Sequence, residues 1–217
     1  MSKKYDVDQL DYFGIMLAPD AKLVGKYKFP QLSAQQLIPS DNPLPINYMT
    51  SKKYIGNWFH CFTNEKPYQK FWYNFNRYIP YIQSAKGLIA TDFSLYRNDE
   101  TDTLIRNCYK NRVMAYAMQK INPNVIPTAG FAGEKTWDWC FDGLPHHSTV
   151  AITTNGTLSD PEARRLFVGG VDTLVKTLSP FALVICGKFP DWIYRKYPNV
   201  KIIPIPSYSQ IWRRRCG

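Results

Sequence analysis

A chain of 217 residues with 45% hydrophobic residues is globular in composition and long enough to bury a sizeable core, which excludes a disordered chain. No stretch approaches the ~18 uninterrupted apolar residues of a membrane span, and the polar start "MSKKYDVDQLDY" lacks the apolar core of a secretion signal. A net charge of +10 with 15% aromatic residues points toward a polyanionic partner, because Lys and Arg neutralise phosphates and aromatic faces stack on bases.

The first 50 residues carry Pro19, Pro30, Pro39, Pro43 and Pro45, too many breaks for a long helix. They read as a Pro-rich segment of short extended pieces, "GIMLAP" and "KLVGKYKF", ahead of an α/β domain over 51–210 and a basic tail over 211–217. Residues 51–60 give an aromatic strand after Lys52 and Lys53. Residues 65–84 give a basic, aromatic helix with Pro67 in its first turn, expected to end or kink at Pro80.

From residue 87 apolar runs alternate with amphipathic helices. Strands are expected at 87–93, 124–131, 148–154, 181–187 and 200–206, with helices at about 101–121, 134–143, 160–178 and 190–197. Ser159-Asp160-Pro161-Glu162 is an S-x-x-E capping box with proline in the first turn. Near-continuous apolar strands separated by helices imply a mainly parallel sheet covered by helices. The expected fold is α/β, barrel-like, with an open doubly wound sheet as the alternative and a β-rich N-terminal extension.

In parallel α/β sheets ligands bind at the carboxyl ends of the strands. Those ends carry Thr91, Asp92 and Ser94, then Thr128, then Thr154 and Asn155, then Cys186 and Lys188, then Ser207 and Tyr208. Converging on one rim, they would hold a polar or phosphorylated ligand, with Asp92 as the acid/base or metal-binding candidate. The bland reading is that turns favour such residues because their side chains bond the local backbone.

On the helix at 101–121, Leu104, Cys108, Ala115 and Met118 share an apolar stripe with Asn111 in its middle and Asn107 near its edge. Arg106 and Lys110 are expected to point to water. A buried amide needs partners, so Asn111 braces either a strand end near Asp92 or some other carbonyl. In "WDWCFDGLP" (137–145), Asp142-Gly143 closes a short helix. If Asp142 converged with Asp92, the two acids would suit Mg²⁺ or a split acid/base role. His146-His147 diverge if they lie on a strand, so no metal site is assigned there. The P-loop pattern fails because Phe189 follows Lys188, and neither G-x-G-x-x-G nor G-x-S-x-G occurs. The five scattered cysteines contain no C-x-x-C and favour reduced thiols in a cytosol.

The strings D-F-S-L-Y-R (92–97), N-x-x-x-N-R (107–112), Pro-Thr (127–128) and C-F-D-G-x-P (140–145) resemble a domain-of-unknown-function family found in bacteria, their phages and other mobile elements. The resemblance covers roughly residues 40–205. It implies a cytosolic, often phage-encoded protein and brings no catalytic residues with it. Relatives tend to be acidic where this chain has Thr63-Asn64, so no acidic role is expected at that place.

Three functions follow. The first is a phage-type nucleic-acid-associated protein. It would contact phosphates through Lys52, Lys53, Lys66, Lys70, Arg77, Arg213, Arg214 and Arg215, and bases through Trp72, Tyr73 or Tyr78. The second is an enzyme acting on a nucleotide or phosphorylated substrate at the rim. The third is a host-directed binding factor with residues 71–81 as its interface. Nothing in the sequence points to a membrane or to a homo-oligomer.

Overall fold

The structure is a computed structural model that describes residues 15–158, 160–188, 190–207 and 210, without the side chains of Ile15 and Ile193. Near the N-terminus, β1 (Leu23–Val24) and β2 (Phe29–Pro30) pair antiparallel around Gly25, whose φ of +71° glycine adopts without strain. The short pieces β3 (Leu44–Pro45), β4 (Trp58–His60), β5 (Gly87–Ile89) and β6 (Val125–Ile126) form one parallel sheet in that order. A second parallel sheet holds β7 (Thr149–Thr153), β8 (Ala182–Cys186) and β9 (Lys201–Ile205). A parallel bridge between Thr128 and Ala151 joins the two. There the Ala129 amide donates to the Ala151 carbonyl (2.8 Å) and the Ala151 amide to the Pro127 carbonyl (2.9 Å).

Spatial order therefore follows chain order from β3 to β9. A doubly wound sheet must reverse its strand order at a switch point, and this one does not. Right-handed crossovers then lay every helix on one face, which is barrel-type winding. Side-chain packing agrees. Phe59, Leu88, Val125, Val150, Leu183 and Ile185 join one core with Phe71, Leu104, Met114 and Leu174 of the helices. Their strand neighbours Trp58, Ile89, Ile126, Ala151, Val184, Cys186 and Ile205 form a second cluster that contains no helical residue. A period-two strand with both faces apolar is buried on both sides; here helices cover one face and the curled strands fill the other. Gly87 makes room inside, since a Cβ there would meet the Trp58 indole at 2.4 Å. Among the described residues no pairing joins β3 to β9.

Among the described residues four helices pack on this sheet: α1 (Lys66–Ser84), α2 (Thr101–Ile121), α3 (Pro161–Leu178) and α4 (Trp192–Lys196). α1 runs through Pro80, and its break lies instead at Asn74 (φ −141°, ψ 42°). The helix expected over 134–143 is only a 3-10 turn at Glu134–Thr136 followed by turns, because Asp142-Gly143 leads out at a φ of +79° for Gly143. The first extended piece contains a 3-10 turn at Ile15–Leu17. Asp160 itself caps α3, accepting the Ala163 amide at 2.8 Å; Ser159 of the expected capping box lies outside the described residues. The tail over 211–217 lies outside them as well.

Candidate active site at the strand ends

α2 reads the strand ends through three polar side chains. Asn107 donates to the Ser94 carbonyl (2.8 Å). Asn111 closes a two-way clamp on Phe93, accepting its amide (2.7 Å) and donating to its carbonyl (3.0 Å). Arg112, 1% exposed, donates to the carbonyls of Asp142 (2.9 Å), Thr128 (3.1 Å) and Cys140. No carboxylate neutralises this guanidinium among the described residues, so three carbonyl dipoles carry the charge. The N-x-x-x-N-R string thus fixes the loops after β5 and β6, and the C-F-D-G-x-P string supplies two of the carbonyls it grips.

α1 holds the same loop from its other side. The Glu65 carboxylate accepts the Ser94 amide (2.8 Å), and the Tyr68 hydroxyl donates to the Asp92 carbonyl (2.6 Å). With its backbone clamped at 92–94, the loop lines a cavity of about 350 Å³, a size that lies within the range of small-molecule sites. The cavity opens at the carboxyl ends of β5, β6 and β7 against the start of α3. Its polar wall includes Asp92, Ser94, Arg97, Thr153 and Asn155, and its apolar wall includes Phe131, Leu166 and Phe167. Arg97 and Asp160, both half-exposed, meet at 3.4 Å on its edge.

Asp92 is half-buried, and among the described residues its carboxylate accepts no hydrogen bond and joins no ion pair. Burial, reinforced by the nearby Glu65 carboxylate, pushes its acid up to about 7. Its charge in turn helps raise the buried thiols of Cys61 and Cys186. Lys110 is buried rather than solvated. Its ammonium lies 3.5 Å from the Phe93 ring centre, and burial lowers it to about 8 against the opposing pull of Glu65.

Of the other rim candidates, Ser94 and Asn155 line the cavity with Asp92. Thr128 is turned inward, donating to the Thr91 carbonyl (2.6 Å). Thr154 is buried and donates to the Lys188 carbonyl (2.9 Å), while the Lys188 side chain is exposed outside the cavity. Asn111 braces the loop without reaching the cavity. Ser207 is buried and Tyr208 lies outside the described residues. Asp142 does not line the cavity with Asp92; its carboxylate accepts the Lys26 amide (3.1 Å) in the β1–β2 hairpin. Among the described residues no three His, Cys, Asp or Glu side chains gather as a metal site. Glu65, Tyr68 and Arg97 are the contributors that sequence reasoning missed. Glu65 carried a signal, as the only acid between residues 42 and 91.

Lys52, Lys53, Lys66, Lys70 and Arg77 are exposed and form no ion pair among the described residues. Trp72 is buried and Tyr78 packs on Phe71 (4.1 Å between ring centres), which leaves Tyr73 as the exposed ring of that segment. Arg213, Arg214 and Arg215 lie outside the described residues.

Comparison with known proteins gives relatives in phages. The chain is 29% identical over 192 residues to the "Gene 1 protein" of Mycobacterium phage D29, covering 87% of this chain and 69% of that one. It is 27% identical over 194 residues to the "Gene 1 protein" of Mycobacterium phage L5, covering 87% and 81%. No solved structure matches. The family profile described as "Domain of unknown function (DUF4417)" matches residues 21–204, a span that takes in the clamped loop, the α2 clamp and the cavity, and the chain belongs to that family.

Proposed function

We propose that the chain is an enzyme in which Asp92 transfers a proton on a nucleotide or other phosphorylated substrate bound in the strand-end cavity. The observation that carries this is the Asp92 carboxyl, held without a partner on the cavity wall and poised near neutrality. A group that titrates at about 7 is present as both acid and base at working pH, the condition for general acid–base catalysis. The apolar wall suits a ring, and Arg97, Thr153 and Asn155 suit a phosphate or sugar. The test is a panel of nucleotides and sugar phosphates, read by thermal shift and by turnover. The wild-type chain should be stabilised by a member of the panel that it converts. Asp92→Asn should still be stabilised by that compound and should lose at least about 100-fold in turnover. Full turnover by Asp92→Asn would refute the assignment, as would a panel that leaves the melting temperature unmoved.

A second reading, nucleic-acid association, is favoured by a separate observation. Residues 42–91 contain six Lys or Arg and one acid, and the acid points at the Ser94 amide rather than at a cation. Phage relatives and four buried free cysteines fit a working place in a bacterial host's cytosol. A host-protein interface at 71–81 is less favoured, since Phe71, Trp72 and Phe75 pack inward.

A further inference from the structure

We infer that the outer face of α1 and the strand-end cavity form one continuous track for a single-stranded nucleic acid, with the chain running along α1 and one nucleotide entering the cavity. The inference rests on the nucleotide reading of the cavity and names its substrate as a polymer.

Charge is the first ground. Lys86 is the one cation of the 42–91 segment held by an acid, Asp41 at 2.9 Å. The other five are exposed and form no ion pair among the described residues, and three of them, Lys66, Lys70 and Arg77, lie on α1. Its distribution is the second ground. Lys66, Lys70, Tyr73 and Arg77 follow one another at steps of four, three and four, the spacing of one helical face. The break at Asn74 does not turn that face inward: Lys66, Lys70, Tyr73 and Arg77 are exposed on both sides of it, while Phe71, Trp72 and Phe75 are buried. From Lys66 to Arg77 the track covers about 16 Å, enough for several phosphates.

Continuity is the third ground. Lys66 follows Glu65, whose carboxylate holds the Ser94 amide at 2.8 Å, and Ser94 belongs to the cavity wall. The positive stripe therefore begins one residue from the anchor of the catalytic loop. Two large aromatic rings stand out along this path: Tyr73 on α1, 48% exposed, and Tyr96 on the cavity loop, 64% exposed. Exposed rings beside unpaired cations are the elements of single-strand recognition, in which phosphates meet charge and bases stack on aromatic faces. A duplex hides the faces that these rings would meet.

The test compares a labelled single strand of about 12 nucleotides, as DNA and as RNA, with a mononucleotide, by fluorescence anisotropy and by thermal shift. The oligomer should bind more tightly than the mononucleotide. Its affinity should fall roughly 20-fold between about 50 and about 200 mM salt, as three phosphate contacts on a single strand require. The triple variant Lys66→Glu, Lys70→Glu, Arg77→Glu should lose oligomer binding by at least that factor and keep both its melting temperature and mononucleotide binding. Tyr73→Ala should weaken the oligomer about 5- to 150-fold. Unchanged oligomer binding by the triple variant would overturn the inference, and so would equal affinity for mononucleotide and oligomer, or polyglutamate competing as well as the oligomer. Asp92→Asn separates the two readings: full turnover with intact, salt-sensitive strand binding sinks the catalytic role of Asp92 and spares the track.

Discussion

Asn at position 92 tests the central electrostatic claim without reference to any substrate. A carboxyl whose ordinary value is 3.8 and which the fold holds at about 7 binds its proton more tightly folded than unfolded. Between those two pH values the folded chain carries the extra proton, so stability falls as pH rises from about 4 through about 7. Three or so pH units at about 1.4 kcal/mol each set an upper bound of about 4 kcal/mol. Asp92 is half-buried at a cavity wall, where water screens it, which brings the expectation to about 2 kcal/mol. Asparagine has no proton to lose and is close to the same size. Urea unfolding of both chains, followed by tryptophan fluorescence at pH 4.5, 6 and 8, isolates the effect, because groups not coupled to Asp92 titrate equally in the two. Relative to wild type, Asp92→Asn should be about 2 kcal/mol better placed at pH 8 than at pH 4.5, or about 4–8 °C in melting temperature. A constant offset between the two chains across that range would refute the reasoning.

Other expectations are independent of Asp92. Arg112→Ala strips the donor from three buried carbonyls at about 1–3 kcal/mol each, so after partial relaxation about 3–5 kcal/mol should be lost in urea titrations; a loss under 1 kcal/mol would contradict the clamp. Gly143→Ala puts a methyl group 2.5 Å from the Pro30 carbonyl oxygen at a φ of +79°, and should cost about 1–3 kcal/mol by the same measurement. His60 Nδ1 accepts the Phe62 amide, which leaves its proton on Nε2; that atom and Thr91 Oγ1 are buried without a partner among the described residues. A high-resolution crystal structure should show an ordered water bonded to at least one of them.

The alternation from residue 87 onward was legible because each buried strand there is an unbroken apolar run and each helix keeps a stripe. α2 spans Thr101–Ile121 as its periodicity requires. Periodicity gives a side chain's direction along its own helix but not what lies opposite. Lys110 faces away from the stripe, yet Trp72 of α1 and Phe93 of the loop roof it over, a contact between segments 17 or more residues apart that no local pattern carries. Asp142 shows the same gap from the other side. Its type and turn position fitted a second active-site acid, but the β1–β2 hairpin, more than a hundred residues earlier in the chain, takes its carboxylate. Asp92 could be found because strand ends in parallel folds meet on one rim whatever the loops do. Glu65 was missed because its role is to hold a backbone amide 29 residues away.

The unreversed order of the strands bears on how the molecule is made. In a sheet wound both ways from its middle, an early strand waits with one flank bare until a much later segment arrives to cover it. Here each new strand lays down beside the one synthesised just before it, with β7 meeting β6 across the Thr128–Ala151 bridge and β8 and β9 following in turn. A nascent chain emerging from the ribosome can dock unit upon unit, so apart from the outer flank of β3 only the newest flank is open to aggregation.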